Sequence, residues 1–259
     1  MKNVLILTNF STNSWNSITY ALSLFKNEQC SFYLLNDEST VNAKDPKKAF
    51  EILIERISSS PLKGKHVFIP IVVAAEIIEA TKFQVEDKNI DLIVMGIDGR
   101  PSVGITKGVS VFENVITKVK CSILVVPNEA RFIGINEVAF PTDYTNFNEA
   151  NLLQNSTDLL SANKSKLRFV HLAKKDEGLD KEQLWNKETL HDYFKDQPHC
   201  FHVEINKNFE VSIENFIDKM DIDLIIMAAK NLNLFEEILF RPRINNVKYY
   251  SKTPFLILH

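Results

Sequence analysis

The sequence predicts an α/β fold in which parallel strands alternate with helices, and the whole pattern is written twice. Two observations carry this. Short apolar runs alternate with segments of helical apolar spacing, an order that implies a parallel sheet with helices on both faces. The order also repeats: Asp91–Met95 (DLIVM) returns as Asp223–Met227 (DLIIM), and Ile123–Val126 (ILVV) returns as Phe255–Leu258 (FLIL), at the same interval in each copy. Upstream, Thr8–Ser11 (TNFS) pairs with Thr142–Thr145 (TDYT). The period far exceeds that of a solenoid repeat, so each copy is a domain, residues 1–130 and 136–259.

The first copy opens with a strand at Asn3–Thr8, a polar turn at Asn9–Asn13 and a helix over Ser14–Phe25, whose Ile18, Ala21, Leu22, Leu24 and Phe25 form one face. Ser31–Leu35 is the second strand. Asp45-Pro46 starts a helix, with proline in the first turn where its missing N–H costs nothing. That helix is expected to turn Phe50, Ile52, Leu53 and Ile57 inward. His66–Pro70 reads as a short edge strand ending at proline, and Ala74–Phe83 as a third helix.

Asp91–Pro127 is the stretch on which the rest depends. Asp91–Met95 has the composition of a strand buried on both faces. Gly96 and Gly99 follow, then a polar loop to Lys107, and then Val111, Phe112, Val115, Ile116 and Val119 at helical spacing. Cys121–Val126 is the last strand, closed by Pro127. Such a strand–loop–helix–strand unit presents backbone N–H groups and a helix N-terminus at the carboxyl edge of the sheet, where phosphate is commonly held.

Asn128–Asn136 is a short linker whose Phe132, Ile133 and Ile135 are expected to pack. The second copy follows with strands at Glu137–Phe140, Leu167–Leu172, His202–Ile205, Asp223–Met227 and Phe255–Leu258. Its helices are expected at Asn148–Leu160, Glu182–Phe194 and Val211–Met220, with Lys174–Lys181 a charged loop. The copies diverge where chemistry would sit: Gly96 becomes Ala228, Gly99 becomes Asn231 and Ser110 becomes Pro242.

The chain has 259 residues, enough for two domains that each bury a core. Hydrophobic content of 45% and charged content of 24% are those of a soluble globular protein. A net charge of −3 gives no reason to expect nucleic-acid binding. No apolar run approaches the ~20 residues of a membrane span. The three cysteines, Cys30, Cys121 and Cys200, suit a reducing cytoplasm without a disulfide framework.

The TNFS turn, DLIVMG with G-x-x-G, SVFENVI and the final CSILVVP strand together resemble the universal stress protein family, and the duplication resembles its tandem members. The resemblance implies two tandem five-stranded parallel sheets flanked by helices, Rossmann-like and of the adenine nucleotide alpha hydrolase-like type. It also implies that some members bind ATP, with phosphates held at G-x-x-G and, nine residues on, Gly-Ser or Gly-Thr. Gly96 and Gly99 match the two glycines. Ser110 matches the serine, but Val109 stands where glycine is expected, bringing a β-branched side chain to the phosphate. The family's acid after the first strand, which helps to hold adenosine, is here Asn9. The second copy keeps that acid as Asp143 but lacks the glycines, and Glu236 and Glu237 would repel phosphate. The resemblance thus implies a nucleotide site at Asn9, Gly96, Gly99, Arg100, Val109, Ser110 and Val111, weak for ATP or ADP and confined to the first domain.

Plainer readings stand beside these. Gly96 and Gly99 can simply turn the chain after a central strand, Ser110 can cap a helix, and Arg100 and Lys107 can sit in solvent. His199, Cys200 and His202 suggest a metal by proximity, but zinc needs about four ligands and no second cluster is evident. His171 reads as a satisfied histidine, buried or at a strand tip. No nucleophile elbow, Walker loop or dinucleotide fingerprint is present, so a binding protein is expected rather than an enzyme. The expected function is a cytoplasmic stress-response protein sensing ATP or ADP; the alternative is an interaction or scaffold module whose nucleotide sites have decayed. In the family's strand order the fifth strand of each domain is an apolar sheet edge, which invites pairing. An intrachain pseudo-dimer joined through Ile123–Val126 and Phe255–Leu258 is therefore expected, with a further homodimer compatible but not required.

Overall fold

The apolar run near the N-terminus becomes the central strand of a parallel sheet, Val4, Leu5 and Ile6 being fully buried. The computed structural model describes residues 1–38, 45–97, 111–145, 152–153, 156–173, 178–205, 209–229 and 252–259. The chain divides into two units, Met1–Phe132 and Ile133–His259.

In the first unit the order is β1 (Lys2–Leu7), α1 (Thr12–Leu24), β2 (Cys30–Asp37), α2 (Pro46–Ser58), β3 (Val67–Val73), α3 (Ile77–Asp87), β4 (Leu92–Ile97), α4 (Val111–Lys118) and β5 (Ile123–Pro127). Its strands lie in the order β3-β2-β1-β4-β5, all described pairings parallel. The second unit contains β6 (Glu137–Pro141), α5 (Thr157–Asn163), β7 (Lys166–Ala173), α6 (Lys181–Tyr193), β8 (His199–Ile205), α7 (Phe209–Met220), β9 (Leu224–Ala228) and β10 (Phe255–Leu258). Its order, β8-β7-β6-β9-β10, is the same topology. The α/β class and parallel sheets flanked by helices are therefore as the alternation predicts.

The likeness of the two units reaches individual hydrogen bonds. Asp91 Oδ2 accepts from Asn3 N at 2.7 Å, and Asp223 Oδ2 accepts from Asn136 N at 2.7 Å and Glu137 N at 3.1 Å. These aspartates are thus kept for pinning the start of the neighbouring central strand. Asn89 and Asp221, two residues before them, both take left-handed backbone conformations, φ 47° and 48°, which short polar side chains tolerate.

Local chemistry explains most boundaries. Asp45 caps α2, accepting from Lys47 N and Lys48 N, with Pro46 in the first turn. Asp180 and Gln183 form a reciprocal capping box that starts α6. On α2 the residues at helical spacing, Phe50, Leu53 and Ile57, are buried, but Ile52 is 59% exposed, contrary to its expected inward role. Two residues turn a helix by about 200°, which carries Ile52 away from Phe50. Val111 is likewise exposed, whereas Val115, Ile116 and Val119 are buried. Pro70 lies within β3 rather than at its end. Only one side of that strand is bonded within its unit, so a residue without an N–H is accommodated there.

The linker expectation holds in part. Asn16 Nδ2 donates to Pro127 O and Ala130 O, and Arg131 Nη1 donates to Asn16 Oδ1. The Phe132 ring meets Tyr20 edge-on at 5.3 Å. Ile135 is buried, but Ile133 is 83% exposed.

Candidate functional site

The strand order β3-β2-β1-β4-β5 reverses direction at β1 and β4, and in open α/β sheets ligands bind in the crevice outside the carboxyl ends of the strands at that point. What the first unit places there is a tight turn, the start of α1 and the end of β4. In the turn, Phe10 adopts φ 61°, a conformation that costs an aromatic residue free energy. Local hydrogen bonds hold it: Phe10 N donates to Thr8 Oγ1 at 3.2 Å, and Ser11 N donates to Asn9 Oδ1 at 3.1 Å. Ser11 Oγ then caps α1 by accepting from Ser14 N at 3.2 Å. Asn9 is exposed on this edge, so its carbonyl oxygen holds the turn while the rest of the amide faces solvent.

The second unit builds the same turn with other residues. Tyr144 has φ 58°, Tyr144 N donates to Thr142 Oγ1 at 2.9 Å, and Thr145 N donates to Asp143 Oδ1 at 3.0 Å. The Asn9-to-Asp143 exchange leaves the turn unchanged, because either side chain offers the same acceptor oxygen.

Gly96 is not in the loop but inside β4, paired with Val126. A Cβ there would stand 2.9 Å from Asn13 Nδ2 and 3.0 Å from both Asn13 Cγ and Asn13 O. The glycine is therefore accounted for by the close approach of α1, not by a turn. Asn13 itself is 8% exposed, and its Oδ1 has no hydrogen-bond partner among the described residues. Asn36, near the end of β2, is fully buried; its Nδ2 donates to Thr8 O at 2.8 Å, while its Oδ1 is unpaired among the described residues. Among the described residues, two buried acceptors without donors thus flank the turn. Sequence reasoning missed both, although Asn36 sits conspicuously polar in the apolar run SFYLLND.

In the second unit the residue in register with Asn36 is His171. Its Nδ1 hydrogen-bonds Thr142 O at 3.1 Å and its ring stacks on Tyr144 at 5.2 Å. It is the satisfied buried histidine that the sequence suggests. Gln183 Nε2 and Asn186 Nδ2 of α6 donate to Asp143 O and Tyr144 O. That turn is consequently tied into its own unit, with Tyr144 at 1% exposure.

Of the other expected site residues, Val111 begins α4 and is exposed. Gly99, Arg100, Val109 and Ser110 lie outside the described residues, as do Asn231, Glu236, Glu237 and Pro242. Ala228 ends β9 and is buried.

The His199–Cys200–His202 group separates across β8. His199 Nε2 lies 2.9 Å from His191 Nδ1, whereas Cys200 Sγ meets His202 Nε2 at 3.1 Å on the other face. Among the described residues no set of three or more His, Cys, Asp or Glu is gathered for a metal. No described helix is long and apolar enough to cross a membrane.

No curated protein matches the sequence. The fold is similar to that of a universal stress protein from Archaeoglobus fulgidus DSM 4304 (TM-score 0.67, 15% identity, 98% of this chain and 95% of that one). It is also similar to a functionally unknown protein from Pseudomonas aeruginosa PAO1 (TM-score 0.60, 11% identity, 100% and 92%). A third similar structure is the cytoplasmic domain of a prokaryotic cation chloride cotransporter (TM-score 0.55, 10% identity, 99% and 95%). At these identities the likenesses show the fold alone. The sequence itself goes further over the half that holds the crevice: residues 1–127 match the model of the universal stress protein family.

Proposed function

We propose that the chain is a cytoplasmic stress-response protein whose first unit binds an adenine nucleotide weakly, and that it binds rather than catalyses. The observation that carries this is the switch-point crevice of the first unit, where the strand order reverses at β1 and β4 beside the exposed Asn9 turn. By the family resemblance, the phosphates would run toward Gly99, Arg100, Val109 and Ser110 and the N-terminus of α4 at Val111, where free backbone N–H groups favour anions. The second unit is a poorer host, since Gln183 and Asn186 of α6 already tie up the carbonyls of its turn.

A second reading, an interaction or scaffold module with decayed sites, is favoured by Asn9 and Val109 in place of the family's acid and glycine. The occurrence of this fold as the cytoplasmic domain of a cation chloride cotransporter supports it too. Calorimetric titration with ATP and ADP in the presence of Mg²⁺ separates the two. Weak binding that tightens in Val109→Gly and in Asn9→Asp supports the nucleotide reading. No heat from the native protein or either variant, together with no nucleotide released on denaturation, leaves the module reading.

A further inference from the structure

The second unit carries a polar cluster that its fold does not need. Arg168 on β7 donates from Nε to Glu137 Oε2 on β6 at 2.6 Å. Its Nη1 reaches Cys200 Sγ at 3.6 Å and His202 Nε2 at 3.2 Å, both on β8. Cys200 Sγ and His202 Nε2 are 3.1 Å apart. The strand registers set Glu137, Arg168, Cys200 and His202 against Asn3, Tyr33, Ile69 and Ile71 of the first unit. The same sheet is thus built there without a charged pair or a thiol at these positions.

The chemistry of the cluster is specific. A guanidinium is a permanent cation that only donates, so the imidazole nitrogen facing it is the unprotonated one. Burial and the Arg168 charge both hold His202 below the usual histidine range. Cys200 Sγ thus has a guanidinium nitrogen at 3.6 Å and an unprotonated imidazole nitrogen at 3.1 Å that can receive a thiol proton. The same cation disfavours a metal ion at this pair. Cys200 and His202 are half-buried, on a strand bonded on one side only within its unit. The other two thiols differ: Cys30 and Cys121 are buried, and burial pushes them up to about 11 and about 12.

We propose that Cys200 is a peroxide-reactive thiol, activated by Arg168 and His202 and oxidised by hydrogen peroxide or an organic hydroperoxide to a sulfenic acid. The thiol proton is relayed transiently through His202 Nε2 to the leaving oxygen as the peroxide bond breaks. The thiolate attacks one peroxide oxygen, so that the S–O bond forms as the O–O bond breaks. The leaving hydroxide, or alkoxide, takes the proton from His202 and departs as water or alcohol. Sulfur loses two electrons and the peroxide gains them, so no further reductant or oxidant is required. Glu137 acts as a positioning residue by fixing the guanidinium. This proposal does not rest on nucleotide binding.

The test is peroxide treatment of the full chain at neutral pH, with trapping by dimedone and location of the adduct by peptide mass. The adduct is expected at Cys200 and not at Cys30 or Cys121. The rate should exceed that of the same cysteine in the urea-unfolded chain by about tenfold. Arg168→Met and His202→Gln should each return the rate toward the unfolded value, and Arg168→Lys should retain part of the gain. A native rate no greater than the unfolded rate overturns the proposal, and that comparison needs no variant. A folded Arg168→Met variant that reacts at the native rate overturns it as well.

Discussion

Gly96→Ala should destabilise the first unit and should do so through Asn13. The added methyl would stand 2.9 Å from Asn13 Nδ2, 3.0 Å from Asn13 Cγ and 3.0 Å from Asn13 O. All three separations are shorter than ordinary carbon contacts of about 3.5–4.0 Å. Two of the atoms belong to a side chain that can turn, but the third is backbone in the first turn of α1, so relief requires the helix to shift. Overpacking of this kind costs about 1–3 kcal/mol. For a unit of this size that is a fall of several degrees in the melting temperature, at roughly 2–8 °C per kcal/mol. Urea unfolding of wild type, Gly96→Ala, Asn13→Ala and the double variant gives the coupling energy directly. The double variant should recover the share of the cost due to the side chain and leave that due to the backbone oxygen. A Gly96→Ala chain that unfolds at the wild-type urea concentration refutes the packing argument, and Gly96 would then have to be explained by a ligand.

Two further outcomes follow from the buried polar groups. His66 is 7% exposed and meets the stacked rings of Phe32 and Phe68 edge-on, neither of its ring nitrogens has a partner among the described residues, and burial holds it below the usual histidine range. The unfolded chain therefore takes up the proton first: this contribution is complete above the ordinary histidine value of about 6.5 and is lost as pH falls below it. The urea midpoint of His66→Phe should accordingly fall less than that of wild type between about pH 8 and pH 5.5; equal falls would show that His66 is not the group responsible. Asp223 accepts from two backbone N–H groups and Asp91 from one at the equivalent site. With charged hydrogen bonds worth about 1.5–3 kcal/mol, discounted where solvent reaches them, Asp223→Ala should cost more than Asp91→Ala. Separate unfolding of the two units, followed by near-ultraviolet dichroism, would reveal a reversed order.

Much of the fold was legible because it rests on patterns that chain geometry imposes. Buried parallel strands demand short apolar runs, crossover helices demand apolar residues at helical spacing, and both recur in the second half of the chain at the same interval. Asp45-Pro46 could be read as a helix start because capping is a matter of neighbouring residues alone. Errors fell where a side chain's surroundings come from elsewhere in the chain. Ile52 counts as apolar in any window, but only the packed sheet says which side of α2 is inside. Gly96 has the same sequence signature whether it frees a loop, admits a phosphate or clears a helix, and only the position of Asn13 distinguishes the last. Asn36 and Asn13 escaped notice because an amide's significance lies in whether its partners are present, and those partners come from other strands. The same holds for Cys200: in sequence it is one cysteine between two histidines, and it gains a guanidinium only because β7 lies beside β8 in the register that brings Arg168 opposite. Periodicity and local hydrogen bonding are properties of neighbouring residues and can be read from the chain; proximity across strands is created by folding.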